Sequence, residues 1–111
     1  MMKVHCTLCL GSNTEAERNI EMAYKLLNNS LPNINWGKAR WTKPVDFPNP
    51  ALFLNQTAEF YTTKRMDEIK LLFKEIERKC GRLPEDKSQG IVLMDIDLLS
   101  YGELKLKEVV F

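Results

Sequence analysis

Three observations predict an α+β domain in which one antiparallel sheet carries both helices on a single face. The stretch 92–100 alternates as a strand does, with Met94, Ile96 and Leu98 on one face and Asp95 and Asp97 on the other. Two segments, 14–28 and 66–80, repeat their apolar residues at helical spacing. Three further strand-like segments fall around those helices, so the order reads β-α-β-β-α-β plus one short strand.

The first strand covers 3–10, with Val4, Cys6, Leu8 and Leu10 facing one way and Lys3, His5, Thr7 and Cys9 the other. Gly11 reads as its end. Ser12 followed by Glu15 is a capping-box pattern, and Ala16, Ile20, Ala23, Tyr24 and Leu27 form the apolar stripe of the first helix. A turn cluster at 28–33 leads to a second strand over 34–42, carrying Ile34, Trp36 and Trp41. Three prolines between Lys43 and Pro50 forbid regular pairing there. The third strand, 52–62, turns Leu54, Ala58 and Phe60 one way and Phe53, Asn55, Thr57 and Tyr61 the other. In the second helix Ile69, Leu72, Phe73, Ile76 and Cys80 share a stripe, and Gly81 suits the C-cap. Leu83 to Gly90 is a polar loop, Gly102 a turn, and 103–108 alternate again before the apolar Val109-Val110-Phe111. This is the split-βαβ, ferredoxin-like pattern, an α+β sandwich with two helices on one face of the sheet. No linker or repeat divides residues 1–111, so one domain is expected.

Composition narrows the function classes. A net charge of +1 gives no basis for nonspecific nucleic-acid binding or for a polybasic membrane surface. No apolar run approaches the roughly 20 residues that span a bilayer, and the N-terminus does not read as a signal peptide. Three cysteines, an odd number, suggest reduced thiols and a cytoplasmic protein. Cys6 and Cys9 resemble a Cys-x-x-Cys pair, yet positions three apart on a strand face opposite ways and do not converge on one ion. Trp36 and Trp41 read as packing residues.

The chemistry is concentrated at Asp95 and Asp97, whose Cα atoms lie about 6.6 Å apart at a rise of about 3.3 Å per residue. Two carboxylates that close repel one another unless a cation or hydrogen bonds offset the charge. Mg²⁺, held by one or two carboxylates plus substrate phosphates, is the natural partner; a solvated polar strand face is the alternative.

Several segments, taken in order, resemble the 6-hydroxymethyl-7,8-dihydropterin pyrophosphokinase family of the folate pathway. Leu10-Gly11-Ser12-Asn13 is similar to that family's Gly-Ser-Asn turn. Thr42, Pro44 and Val45 resemble its pterin-side loop, and Phe53-Leu54-Asn55 its Tyr/Phe-Leu-Asn segment. Glu77 with Gly81-Arg82 resembles its Glu-x-x-x-Gly-Arg helix end, and Asp95-Ile96-Asp97-Leu98 its Asp-Leu-Asp-Ile signature. The resemblance implies transfer of pyrophosphate from ATP to the pterin hydroxymethyl group, with Mg²⁺ on Asp95 and Asp97. It implies pterin contacts from Thr42, Val45, Phe53 and Asn55, Glu77 on the nucleotide side, and Arg82 as a catalytic group meeting phosphate. From the residues alone, Glu77 reads as a solvent-facing helix position and Arg82 as a base suited to a helix C-terminus.

The chain departs from that pattern before the aspartates. Leu83 to Val92 holds one lysine, Lys87, and no arginine, and Val92 stands where the family has a functional arginine. The family's chains also continue past this length, with a histidine, an arginine and an aromatic that complete the site. An arginine aimed at transferring phosphate is worth on the order of 10³–10⁵ in rate in other phosphoryl transferases. Loose magnesium binding and weak or lost activity are therefore expected, the alternative being a non-catalytic module that binds a ligand or a partner protein. A homodimer is a further expectation, with the apolar 109–111 adding to a strand edge.

Overall fold

The computed structural model describes residues 2–108, in the order β1 (Val4–Ser12), α1 (Ala16–Ser30), β2 (Asn35–Trp36), β3 (Arg40–Thr42), β4 (Phe53–Thr62), α2 (Met66–Lys79), β5 (Asp95–Tyr101) and β6 (Leu104–Lys105). All pairings are antiparallel, and the sheet runs β2-β4-β1-β5-β6 with β3 also on β4. Taking β2 and β3 as one interrupted strand, this is the expected ferredoxin-like α+β sandwich. Residues 109–111, expected to add to a strand edge, lie outside the described part.

The alternation sorts the faces as the sequence predicts. Cys6, Leu8 and Leu10 of β1, Leu54, Ala58 and Phe60 of β4, and Ile96 and Leu98 of β5 are buried with Ile20, Ala23, Leu27, Ile69, Phe73 and Ile76 of the helices. Met94, just before β5, is fully buried in the same cluster. The opposite face of the sheet carries the polar alternates, among them Asn55, Thr57, Asp95 and Asp97.

Four local expectations are corrected. Gly11 does not end β1: it and Ser12 remain paired, with Asn55 and Leu54. The capping box at Ser12 and Glu15 does not form. Glu15 itself is the N-cap in a left-handed conformation, while Ser12 Oγ donates to the carbonyls of Thr14 and Val92. The strand expected over 34–42 breaks at Gly37, where an added Cβ would meet Thr57 Oγ1 at 3.0 Å. The alternation at 103–108 yields pairing only at Leu104–Lys105 among the described residues.

Candidate functional site

The end of α2 fixes the first candidate group, Arg82. The N–H of Gly81 donates to Arg78 O at 2.9 Å and that of Arg82 to Glu77 O at 3.2 Å, a Schellman closure with Gly81 at φ 97°. A residue with a Cβ is strained in that conformation, which is why glycine stands there. Because its backbone is tied to Glu77, the Arg82 side chain turns back over the last turn of the helix. Its Nη1 reaches Glu77 Oε2 and Asp95 Oδ1, both at 3.0 Å, and Met94 O at 3.3 Å.

Glu77 is not solvent-facing, contrary to the helical-wheel reading. Its side chain is 13% exposed, and Oε2 accepts the N–H of Ile96 at 2.7 Å. That N–H lies on the side of β5 away from β1, so the carboxylate takes the place of a missing neighbouring strand. Burial raises the Glu77 pKa, opposed by this hydrogen bond and by Arg82.

Asp95 and Asp97 lie on the open face, opposite Gly11 and Cys9 of β1. Burial raises the Asp97 pKa and the charge of Asp95 adds to it, while the hydrogen bond from Lys107 pulls the other way. That bond, Lys107 Nζ to Asp97 Oδ1, is 2.7 Å long. The sequence signalled nothing of Lys107, which arrives through a register shift in β5. Thr7 pairs Ser100 but Leu8 pairs Leu98, so Leu99 bulges, and its carbonyl accepts the N–H groups of both Leu106 and Lys107.

Beside these groups is a cleft of about 440 Å³ between α2 and the edge of β5. Lys70, Lys74, Arg82 and Lys107 line it together with Glu77, Asp95 and Asp97. Positive charge missing from the 83–92 loop is thus supplied by α2 and by the segment after β6. Val92 is not in the cleft; its side chain is buried. Its backbone is held by Asn13, which donates N–H to Val92 O at 2.9 Å and accepts the Val92 N–H on Oδ1 at 2.8 Å. The Ser12-Asn13 turn therefore clamps the chain three residues before Asp95.

Across Gly11 from Asp95 stands Asn55. With strands about 4.8 Å apart, their Cα atoms are about 10 Å apart. Gly11 lets the Asn55 carboxamide lie close over it: a Cβ there would approach Asn55 Oδ1 to 3.1 Å. Asn55 Nδ2 donates to Thr42 Oγ1 at 2.6 Å, and Phe53 meets Phe47 edge-on with centroids 5.5 Å apart. Phe47 was not singled out by the sequence, since a lone aromatic in a proline-rich loop carries no periodicity. Val45 stands out of that loop, 84% exposed. Thr42, Phe53 and Asn55 thus gather at one end of the open face and Asp95 and Asp97 at the other, with Glu77 and Arg82 at the adjoining edge of β5.

The two aspartates offer oxygen donors of the kind a hard divalent ion takes. No group of three or more His, Cys, Asp or Glu able to hold a metal occurs among the described residues, so the remaining ligands of such an ion would be phosphate and water. The three thiols are free and buried; burial pushes Cys6 up to about 11 and Cys9 up to about 12, which keeps them protonated. Among the described residues no helix is long and apolar enough to cross a membrane.

The fold is an α+β sandwich with paired carboxylates beside a cation-lined cleft and an asparagine–aromatic cluster on the open face of the sheet. The model of the 7,8-dihydro-6-hydroxymethylpterin-pyrophosphokinase (HPPK) family matches residues 7–109, and the chain belongs to that family. A search of curated proteins finds no match.

Proposed function

We propose that this chain binds a 6-hydroxymethyl-dihydropterin and ATP on its open face and transfers pyrophosphate between them, with low turnover. The observation that carries the reading is the row Asn55–Gly11–Asp95 across three strands. It sets an amide and a carboxylate on one face of the sheet, on strands either side of β1. The Asn55 amide offers a donor and an acceptor to the pterin edge, with Thr42 holding its orientation, and Phe53 and Phe47 flank the ring. Lys70, Lys74 and Arg82 supply cations for the triphosphate in the adjoining cleft. Asp95 and Asp97 would hold magnesium, which would supply charge neutralisation and alignment for the phosphates. Arg82 is shared between Asp95 and Glu77, so it positions the carboxylate as well as facing phosphate. Val45, by its exposure, is assigned at most a peripheral contact.

Low turnover follows from the loop before β5. Val92 is buried and Lys87 is its one base, so no guanidinium from 83–92 reaches the transferring phosphate. The same observation favours a second reading, a pterin-binding module without catalysis.

AMP release from ATP, Mg²⁺ and hydroxymethyl-dihydropterin tests both. Slow, pterin-dependent AMP formation, lowered by about 10²–10³ in Asp95→Ala, is expected. Pterin binding that Asn55→Ala weakens, without AMP, supports the second reading. Absence of both binding and AMP overturns the assignment.

A further inference from the structure

Resting on that reading of Asp95 and Asp97 as the metal site, we propose that Lys107 is an internal counter-ion that occupies a cation position at Asp97, so that free divalent ions bind this site in competition with it. Three features of the chain deliver the ammonium there. The bulge at Leu99 turns its carbonyl outward, that carbonyl accepts the Lys107 N–H at 3.1 Å, and the Lys107 side chain then reaches along β5 to Asp97 Oδ1 at 2.7 Å, two residues before the bulge. Asp95 is matched in the same way by Arg82 at 3.0 Å. Both candidate metal-binding carboxylates therefore carry a cation from the chain itself.

The two cations are held differently. Arg82 is 28% exposed, anchored by the Schellman closure and shared with Glu77. Lys107 is 59% exposed and has one carboxylate partner among the described residues, on a flexible four-carbon stem. An ammonium at 2.7 Å from Asp97 Oδ1 repels a divalent ion on the same carboxylate, and ligands coupled in this way lower each other's apparent affinity. Lys107 is thus the cation that yields, and Arg82 the one that stays. Once released, Lys107 remains on the wall of the cleft, where an incoming phosphate offers it a new anion.

Mn²⁺ binding to the free protein, followed by electron paramagnetic resonance without nucleotide, tests this on the wild type, Lys107→Met, Lys107→Arg and Lys105→Met. Lys105 is a neighbouring exposed cation whose carboxylate partner is Glu108. Lys107→Met is expected to bind Mn²⁺ about tenfold more tightly, with Lys107→Arg and Lys105→Met close to the wild type. Its metal-free melting temperature should fall, and saturating Mn²⁺ should raise it by more than in the wild type. Equal affinity in Lys107→Met and the wild type overturns the counter-ion role and leaves the metal site standing. An equal gain in Lys105→Met shows general charge repulsion and also overturns it. If no variant binds Mn²⁺ and Asp97→Ala changes nothing, the metal site itself fails and the counter-ion role with it.

Discussion

On the β5 side of Gly11 the charged groups satisfy one another: Glu77 holds Arg82 and the Ile96 N–H, Arg82 holds Asp95, and Lys107 holds Asp97. On the β3 side, Asn55 has one side-chain hydrogen bond, to Thr42, and Phe53 meets Phe47 from a loop without regular structure. The two halves share strand β1 and one open face, yet one is closed upon itself and the other is left to receive something. Substitutions in the ionic half should therefore register in folding stability, and substitutions in the asparagine half in ligand affinity.

The sharpest way to break this contrast is to remove what both halves stand on. Ile96 is buried directly behind Asp95 and Asp97, and Ile96→Ala should cost about 2–5 kcal/mol, measured by urea denaturation. An unchanged midpoint would show that β5 does not support the face as described. Next comes Glu77→Ala, which strips the Ile96 N–H of its acceptor and Arg82 of one partner; a loss of about 1–3 kcal/mol is expected. Glu77→Gln keeps an acceptor and should lose less. If both variants unfold alike, the charge of Glu77 matters and its hydrogen bond to β5 does not. The smallest effect belongs to Gly11→Ala, whose Cβ would press on Asn55 Oδ1. Pterin affinity should fall about tenfold, roughly 1.4 kcal/mol, while the urea midpoint barely moves. A variant that lost stability but kept affinity would reverse the assignment of the two halves.

How much of this was legible in the sequence follows from where period and position decide. Strand alternation placed Met94, Ile96 and Leu98 inward and Asp95 and Asp97 outward because a half-buried strand has one apolar face. Helical spacing found both helices to within about two residues. The same wheel misjudged Glu77, because periodicity says which way a residue leans and nothing of a strand edge waiting for an acceptor. Ser12 and Glu15 matched a local pattern, but Ser12 was already engaged by Val92, eighty residues along the chain. Lys107 was invisible for a related reason: its place depends on a one-residue bulge at Leu99, and a bulge leaves no trace in composition or spacing.

The carboxylate of Glu77 has a consequence for solubility. A sheet is tempting to other sheets where a run of backbone N–H and C=O groups stands unpaired, and β5 would offer such a run before Leu99, where its pairing with the segment from β6 ends. Glu77 stoppers it at Ile96 with a charged group that no incoming strand can easily push aside. At the outer margins the partners are short, two residues in β6 on one side, and two in β2 and three in β3 on the other, where Gly37 interrupts the run. Among the described residues, then, copies of this chain have no long template on which to stack edge to edge. Concentrated solutions of Glu77→Ala should scatter more light than those of the wild type, as the uncovered backbone of β5 begins to recruit its neighbours.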